Sequence, residues 1–598
     1  MTSILMDLLA AILALSGAGS AEEIGEGEME RYRHFAEHPL QLNRMPAARL
    51  RSSGLFTDYQ LAAIDDYRAR SGDILGPTEF ALVDGIGPDA AEALVHFVSF
   101  EPSAYSGKGR LRQDLTLRGG VREKGGTEWL SAVKYHLEAG PRAEFFWSSS
   151  RPYSAGSFVP GTFSLALYGK GGGSLVAGDF SARFGQGLAA WSGLTMSGFP
   201  SVAAFRRNTA GIAPTGSFSP VLSGLAGSFQ AGRLRFSAGL SSPGLRSFLA
   251  GKASSGRSAV PLAAASYLGR RGQAGVQGLW QDGAVVSADG VFGLGHWTLF
   301  GETALSSRMV TENGCGILRT RLAAVGGVGW APAYRVQFAF LGRYYPAGFY
   351  SPLAGAVRSF SSLAGKDGSA TGESGVSFGA RWHRAEFTAD AAFRPDTGSA
   401  RGARHFKTVF NFSPADTSAG AGPLRVSPSV RWTERFRPAD PQPWRHELRA
   451  DLACSLRLVQ GPVHPASARA SVRADIVRSK GWGRLFYAEL GYVSEGFITG
   501  YLRFTAFDIP RWDDRIYCYE RDLPGTFNVP AYYRRGRALS AVASLKLPSG
   551  RDSLPAGPAP RKRVRHTLNM RASLLRYPHG TGTPATEIKL QYTLSSTL

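Results

Sequence analysis

The sequence predicts a mainly β protein, a transmembrane antiparallel β-barrel of roughly 14–20 strands that follows a small all-α domain. The first observation is at the C-terminus, where apolar and polar residues alternate through residues 587–598 with one interruption at Ser596. A period of two indicates a strand with one apolar face and one polar face. We expect the apolar face to contact lipid and the strand to close a barrel, because lipid tolerates no unpaired sheet edge.

The second observation is that the same alternation recurs far upstream. Apolar residues alternate with polar or charged ones in the stretches 334–340, 385–393, 447–458 and 468–476. A large soluble sandwich or propeller also alternates and is the alternative interpretation. We favour the barrel because its polar lumen accommodates mixed charges on strand after strand, with opposite charges paired between neighbours.

Composition and charge agree with a barrel. The 598 residues include 74 glycines and 11% aromatic residues, which suits many strands and turns, and a barrel grows by adding strands rather than a second core. The formal net charge of +22 is uneven, since residues 1–100 contain seven arginines, no lysine and fifteen acidic residues. The positive excess in the remainder indicates contact with anionic lipid headgroups. The alternative is a mouth selective for anions, nucleic acid included. We favour the first interpretation, with outer-membrane lipid as the partner.

The N-terminus predicts a secretory signal. Residues 8–15 are apolar and residues 17–21 are small, so we expect cleavage after Ala21 and assign residues 1–21 to a signal peptide. Residues 22–40 follow as a predicted acidic linker, because they are acidic and show little apolar periodicity.

Residues 41–100 predict a small helical domain. Tyr59, Leu61 and Ile64 have helical spacing, and a second periodic segment follows residue 89. Between these segments, Gly85-Ile86-Gly87-Pro88 predicts a tight turn, since the glycines permit a sharp bend and proline suits the first turn of a helix.

This block resembles the paired helix-hairpin-helix domain of competence-type DNA-binding proteins. The matching pieces are the opening Leu42-Asn43, a helix end at Tyr67-Arg68, and the hairpin Gly85-Ile86-Gly87. The resemblance implies that Gly85, Ile86 and Gly87 hold DNA phosphates through backbone N–H groups.

Two features of the block depart from that implication. The first hairpin, residues 53–57, lacks the second glycine of the family pattern. Residues 41–100 also carry five arginines against eight acidic residues, whereas DNA binding draws on counterion release by basic side chains. We therefore favour a plug or docking domain, with a periplasmic protein docking on residues 41–100 as its partner. DNA is the alternative partner.

The remainder, residues 101–598, is the predicted barrel. It resembles outer-membrane proteins of Bacteroidetes-type bacteria that join an N-terminal helix-hairpin-helix domain to a barrel. The pieces that carry this resemblance are residues 177–188, Gly342-Arg343-Tyr344-Tyr345, and the pair of segments 515–520 and 527–532. The resemblance implies a Gram-negative outer membrane with the N-terminal domain in the periplasm.

One stretch within the barrel gathers charge and aromatic rings. It comprises Asp513, Asp514, Arg515, Tyr517, Tyr519 and Glu520. Such a set forms either a ligand patch or a hydrogen-bond network that holds a loop inside the lumen, and we favour the network.

A phosphate-binding loop and a paired-cysteine metal motif do not occur in the sequence. Gly365-Lys366 is followed by Asp367 rather than by the Ser or Thr of a phosphate-binding loop, and no Cys-x-x-Cys pair is present. We predict no enzyme activity, no cofactor and no metal site. The predicted function is a channel, a transporter or a structural component of the envelope, and the alternative is DNA uptake.

Overall fold

The computed structural model shows a closed antiparallel β-barrel together with a group of helices that the first hundred residues form. The structure describes residues 2–103, 111–153, 155–169, 172–192, 198–216, 222–242, 259–269, 271–312, 315–360, 372–396, 402–413, 424–436, 443–459, 466–494, 497–547, 563–578 and 582–597.

The helices all precede the barrel in the described part of the chain. They are α1 (Thr2–Ser16), α2 (Glu26–Glu37), α3 (Ala47–Ser52), α4 (Asp58–Ser71), α5 (Pro77–Leu82) and α6 (Gly87–Leu94). None of these helices is long and apolar enough to span a membrane. Helix α1 lies within the predicted signal peptide, and its cleavage stays a prediction.

The predicted acidic linker is partly helical, because it contains α2. Met29, Tyr32 and Phe35 recur every three residues on this helix, and all three side chains are buried. They pack into the apolar cluster of the N-terminal helices, whose buried members all lie between Ala11 and Val98. Burial of this one apolar face stabilises the helix, although the acidic composition of the segment predicted a linker.

The strands form one barrel and two small pairs. They are β1 (Leu40–Gln41), β2 (Val98–Ser99), β3 (Leu111–Glu123), β4 (Thr127–Ala139), β5 (Ala143–Arg151), β6 (Val159–Tyr168), β7 (Ser174–Arg183), β8 (Gly211–Pro214), β9 (Leu222–Ala231), β10 (Leu234–Ser241), β11 (Val260–Gly269), β12 (Gly272–Trp280), β13 (Ala284–Leu294), β14 (Trp297–Glu312), β15 (Cys315–Ala333), β16 (Val336–Tyr345), β17 (Glu373–Trp382), β18 (Ala385–Arg394), β19 (Ala403–Phe412), β20 (Leu424–Phe436), β21 (Trp444–Val459), β22 (Ala466–Arg478), β23 (Trp482–Ser494), β24 (Ile498–Ile509), β25 (Ile516–Tyr517), β26 (Ala531–Tyr532), β27 (Arg534–Leu547), β28 (Arg563–Arg576) and β29 (Ala585–Thr597). Strands β1 and β2 pair in parallel, and β25 pairs with β26.

The last strand closes the barrel, as its alternation predicted. Strand β29 pairs antiparallel with β3, the first strand of the wall, and Leu590 lies opposite Gly119. Leu590 is 45% exposed on the outer surface, whereas the neighbouring Gln591 is buried at 2%. The outer surface is therefore apolar and the inner surface polar, which confirms the barrel over a soluble sandwich or propeller.

The predicted number of strands is wrong, because the wall has 24 rather than roughly 14–20. Many connections are only two residues long, for example 232–233, 295–296, 334–335 and 383–384. Each strand with its connection then uses roughly 20 residues, so the same length of chain makes more strands. Strand β7 pairs with β9 along most of its length and with the short strand β8 at its C-terminal end. Strand β8 is therefore an addition to the 24 strands of the wall.

The two ends of the barrel differ in their connections. The end that carries these two-residue turns also carries the start of β3 and the end of β29, and we call it the turn end. The opposite end, called the loop end, carries the longest connections, which lie between β7 and β9, between β16 and β17, and between β24 and β27. The turn end also carries two longer connections, residues 413–423 and 548–562. The N-terminal helices contact the turn end, where Arg335 Nη2 donates to Glu92 Oε1 of α6 at 2.8 Å.

Candidate functional site in the barrel lumen

The wall presents charged pairs to the lumen. Arg473 Nε donates to Asp475 Oδ2 at 2.7 Å, and Arg449 Nε donates to Asp475 Oδ1 at 2.9 Å from the neighbouring strand. On β23 and β24, Arg503 Nη2 lies 2.6 Å from Glu489 Oε2. Opposite charges thus pair within and between adjacent strands, which fixes the positions of otherwise mobile long side chains.

Helix α4 is tied to the wall through a buried carboxylate. Asp58 at its start is fully buried and accepts from Arg51 Nε at 2.8 Å and from both terminal nitrogens of Arg235 on β10. Burial opposes ionisation of Asp58, but Arg235 and Arg51 outweigh it and hold the pKa of the carboxyl group below its usual value. The charged form of Asp58 therefore joins the helices to the barrel.

The segment that precedes α2 reaches the opposite part of the wall. Glu22 accepts from Arg473 Nη1 at 2.6 Å and from Arg449 Nη1 at 3.1 Å, and Glu23 accepts from Arg431 Nη2 at 2.8 Å. Burial disfavours the charged form of Glu22, yet these arginines lower its pKa well below the ordinary value. The N-terminal region is thus held to the lumen wall by ion pairs at widely separated strands.

A first inward segment, residues 184–192, follows β7 and is anchored by Glu302 of β14. The Glu302 carboxylate accepts from the backbone N–H groups of Gln186 at 2.6 Å and Leu188 at 3.0 Å, and from that of Ala189 at 3.3 Å. Gly185 has a φ of +54°, a conformation that favours glycine and turns successive N–H groups toward one point. Residues 186–189, which overlap the end of the piece 177–188 singled out in the sequence, therefore form a backbone nest for a buried wall carboxylate.

A second inward segment, residues 346–360, follows β16 and is anchored by Arg343. The guanidinium donates to Glu373 Oε1 at 2.7 Å and to Asp390 Oδ1 at 2.8 Å on neighbouring strands. It also donates to Ser359 Oγ of the inward segment at 2.8 Å. A Cβ at Gly375 would lie 2.5 Å from this guanidinium carbon, so the glycine makes room for it.

The third inward segment, residues 510–533, contains the predicted network. Glu520 accepts from Arg571 Nη2 on β28 at 2.9 Å and from Asn528 Nδ2 at 2.9 Å. Tyr519 OH accepts from Arg33 Nη2 of α2 at 2.6 Å, and its backbone N–H donates to Glu22. These two members of the set therefore lie in the lumen and contact both the wall and the N-terminal region.

The other members of that set lie toward the loop end. Asp513 accepts from Lys480 Nζ at 2.9 Å at an exposed position, and Arg515 Nε donates to the half-exposed Tyr517 OH at 2.9 Å. Asp514 is buried beside Gly481, so the structure does not bring the six residues into one cluster.

The second predicted site, the hairpin between α5 and α6, lies beside α4. Gly85 and Gly87 both have positive φ, +75° and +68°. Gly85 is exposed and its carbonyl accepts from Gln60 Nε2 at 2.9 Å, whereas the Ile86 side chain is buried. Asp89 in the first turn of α6 accepts from the backbone N–H of Arg335 at 3.3 Å, so a wall turn lies against this helix start.

Sequence reasoning missed one further group, which lies between α2 and the wall. His34 of α2 approaches His136 and Glu138 of β4 beside a lumen cavity of about 610 Å³. The spacing His34-x-x-x-His38, which places two imidazoles on one helix face, was the available signal for metal ligands. The wall partners are about one hundred residues away in the chain, so only the fold reveals them.

Comparisons with known proteins extend only to architecture. No family model and no curated protein matches the chain. Among solved structures, the translocation pore of the P pilus usher PapC is 11% identical with a TM-score of 0.38, over 81% of this chain and 99% of that chain. Pseudomonas aeruginosa OccK2 (OpdF) in complex with glucuronate is 9% identical with a TM-score of 0.29, over 82% of this chain and 98% of that chain. These values are too low to carry a functional argument.

Proposed function

We propose that this protein is an outer-membrane channel whose lumen is closed by its own N-terminal helical region, residues 22–103, together with the three inward segments. The observation that carries the proposal is the chemistry of the contact between this region and the wall. Asp58 meets Arg235, Glu22 meets Arg449 and Arg473, and Arg33 meets Tyr519. These contacts are polar and water can replace them, so the region is suited to moving out of the lumen.

The helical region also has an apolar core of its own. Most buried members of its apolar cluster lie between Ile24 and Val98, and the others, Ala11, Ile12 and Ala18, belong to the predicted signal peptide. Phe527 is a partly buried contact from the barrel. A region with its own core can leave the wall without exposing much apolar surface, which would be the main cost of opening.

The size of the barrel supports closure from within. Barrel diameter grows with the number of strands, and walls of 16–18 strands already leave an aqueous channel while 22-stranded ones hold a plug. A wall of 24 strands needs either a filling domain or a wide pore. The helices and inward segments supply the filling.

The proposed orientation places residues 22–103 in or facing the periplasm. Barrels of this class have short periplasmic turns and longer extracellular loops, and the helices contact the turn end. We propose that a periplasmic protein docks on residues 41–100 to open the channel, with the exposed Leu75 and Leu82 among its contacts. Protease added to intact cells should spare residues 22–103, and cleavage before the outer membrane is permeabilised would contradict the orientation.

Conductance across a planar bilayer tests the closure itself. The full chain should conduct rarely, and the double variant Glu22→Gln, Asp58→Asn should open more often or more widely because two anchors lose their charge. The control is Asp66→Asn, a half-exposed aspartate of α4 that pairs with Arg70 on the same helix. A permanently open parent, or a double variant identical to the parent, would refute the closure.

DNA capture by Gly85, Ile86 and Gly87 is the alternative hypothesis. The positive φ of both glycines and the exposure of Gly85 favour it, since such a turn can present backbone N–H groups. The carboxylates of Asp89 and Glu92 on α6 oppose it, because they repel phosphate. We therefore favour closure of the channel.

A further inference from the structure

Two imidazoles and a carboxylate meet where α2 passes the wall. His34 Nε2 lies 3.6 Å from Glu138 Oε1, and His136 Nε2 lies 3.9 Å from the same oxygen. One ligand atom from each of the three residues falls within 4.8 Å of the other two. One ligand comes from the helical region and two come from β4, so the group bridges the two parts of the protein.

We propose that His34, His136 and Glu138 form a site for a divalent transition-metal ion such as Zn²⁺. Two histidines and one carboxylate are a known zinc ligand set, and imidazole nitrogen suits the later first-row metals. Metal–ligand bonds of about 2.0–2.2 Å in a tetrahedral site place ligand atoms roughly 3.4 Å apart. The two nitrogen–oxygen separations, 3.6 and 3.9 Å, exceed that value by a few tenths of an ångström. All three ligand atoms lie within 4.8 Å of one another, so side-chain rotations that bring the imidazoles toward Glu138 would complete the site.

The surroundings fit a cation. Glu144 Oε1 lies 3.0 Å from His136 Nε2 and can serve as a fourth ligand, and Asp114 Oδ2 lies 3.9 Å from His136 Nδ1 on the far side of the ring. A carboxylate that accepts a hydrogen bond from the second ring nitrogen orients a metal-bound histidine, and Asp114 would need to move closer by a few tenths of an ångström to accept that bond. The ring of Phe146 stacks on His136 with centroids 4.2 Å apart, which further fixes the imidazole plane.

Arg49 of α3 is the group that competes with the ion. Its Nη2 donates to Glu138 Oε1 at 2.8 Å, and it also contacts Glu144. With neutral imidazoles, the two carboxylates and one guanidinium leave a net negative charge, so a cation is still attracted. A carboxylate has about four acceptor positions, which allows Glu138 to bind an ion and Arg49 together.

The ion has a route to the site. Two of the three ligands, His34 and His136, line the lumen cavity of about 610 Å³ together with the polar Thr116 and Thr593. The side chain of His136 is 6% exposed, while those of Glu138 and His34 are 19% and 25% exposed. A site that is partly shielded and borders a polar cavity can both admit and retain an ion.

Zinc binding to the full chain, purified in detergent without a polyhistidine tag, tests the proposal. Titration calorimetry with ZnCl₂ should give one ion per chain, and X-ray absorption should show two imidazole ligands. Loss of a residue that only supports a metal ligand weakens metal binding roughly 10–100-fold. His34→Gln and His136→Gln each remove a ligand itself, so each should weaken zinc binding by more than that. The control His296→Gln removes an exposed histidine of the turn end and should leave the affinity unchanged.

The spectroscopic signature separates ligation from a purely structural role. His34→Gln should reduce the number of imidazole ligands from two to one, which altered packing alone would not do. Should His136→Gln fail to fold, His34→Gln on the partly exposed face of α2 decides the question. The proposal would be overturned if zinc did not bind at one ion per chain, or if both variants bound zinc as the parent does. This outcome is independent of the bilayer conductance, which tests closure of the channel.

Discussion

Asp58 and Arg235 form a buried two-point contact between a helix and the barrel wall, with each carboxylate oxygen accepting from one terminal guanidinium nitrogen. The side chains are 0% and 2% exposed. Arg51 of the helical region donates to the same carboxylate, so one negative charge holds two cations. Such a group is strongly stabilised only while all its members are present, because an unpaired buried charge is costly.

We therefore expect Asp58→Asn to weaken the attachment of the helical region. The asparagine keeps the shape but leaves two buried guanidinium groups without a charged partner, at a cost of about 3–5 kcal/mol. Protease susceptibility of residues 22–103 in the full-length protein should rise accordingly. Asp66→Asn on the same helix should change it little, since exposed pairs contribute under about 1 kcal/mol. Equal susceptibility of the two variants would contradict this role for Asp58.

Glu22 makes the attachment sensitive to acid. Although burial opposes its ionisation, Arg449 and Arg473 hold its pKa well below the ordinary value of 4.5. A lowered pKa in the folded state stabilises the attachment fully above pH 4.5, and this stabilisation is lost as the pH falls through the folded pKa. Protease susceptibility measured from pH 7 downward should therefore increase below pH 4.5.

The matched variants for this pH dependence are Glu22→Gln and Asp84→Asn. Glu22→Gln should raise the susceptibility at pH 7 and reduce its dependence on acid, because one titrating anchor is gone while Asp58, whose pKa is also lowered, remains. Asp84 is an exposed aspartate of the helical region, and its replacement should leave the pH profile as it is in the parent. A profile that Glu22→Gln does not alter would assign the acid response to another group.

Gly185 makes the backbone nest around Glu302 possible. A Cβ there would lie 2.6 Å from the Glu302 carboxylate, and φ is +54°. Backbone strain alone makes an alanine at this φ cost roughly 1 kcal/mol. Gly185→Ala should destabilise the folded barrel by more, because the new Cβ would collide with Glu302 and three N–H donors keep that carboxylate from moving aside. Gly295→Ala is the matched control, with φ +60° and open space at the Cβ position. Equal losses in urea unfolding of the two variants would show that the nest contributes nothing.

The sequence predicted the wall of this protein better than its interior. The period of two in β29 and β22 depends only on which face contacts lipid, so the apolar residues Leu590 and Ile476 were assigned to the outer surface and lie there. The strand contact at Gly178 also needs glycine, because a Cβ there would lie 2.2 Å from the Phe163 carbonyl oxygen.

The lumen was harder to predict because its contacts join residues that are distant in the chain. Glu22 and Arg473 are more than four hundred positions apart, and no local pattern specifies that pair. Helix α2 was missed because its three buried apolar residues are surrounded by acidic ones, of which Glu30 pairs with Lys134 of the wall and Glu28 with Arg31 of the same helix. The predicted network at 513–520 separated into lumen and rim groups: Asp513 pairs with Lys480 at an exposed position, whereas Glu520 pairs with Arg571 inside the lumen.

A charge on the outer surface should hinder folding into a membrane. Leu590 lies near the middle of β29, and an arginine at the bilayer midplane of a barrel costs about 2–4 kcal/mol. Leu590→Arg should therefore lower the free energy of unfolding in lipid vesicles by that amount. Leu75→Arg, at a 62% exposed leucine of the helical region, is the control and should have little effect. Equal stability of the two variants would place the outer surface of β29 in water.

The hairpin glycines should differ in their tolerance of alanine. A Cβ at Gly85 would lie 2.4 Å from the Tyr59 ring, whereas Gly87 has open space. Both φ values are positive, so each alanine costs about 1 kcal/mol in strain, and Gly85→Ala should cost more because the ring must move. Gly76→Ala, with φ −169° and open space, is the control for melting of the helical region. Equal shifts for Gly85→Ala and Gly87→Ala would contradict the contact with Tyr59.

The same hairpin allows the DNA hypothesis to be tested without unfolding the domain. Ile86→Glu is unsuitable because the isoleucine is 6% exposed and its replacement would bury a carboxylate. Leu82→Glu is suitable, since Leu82 is 73% exposed at the end of α5 beside the turn. The measurement is salt-dependent retention of duplex DNA by the full chain. If the hairpin only supports the fold, Leu82→Glu and the parent should retain equal amounts of DNA, because any DNA bound by the cationic barrel is the same in both. A clear drop in Leu82→Glu would show that phosphate lies at the hairpin, because a carboxylate there repels it. With Asp89 and Glu92 already on α6, we expect equal retention.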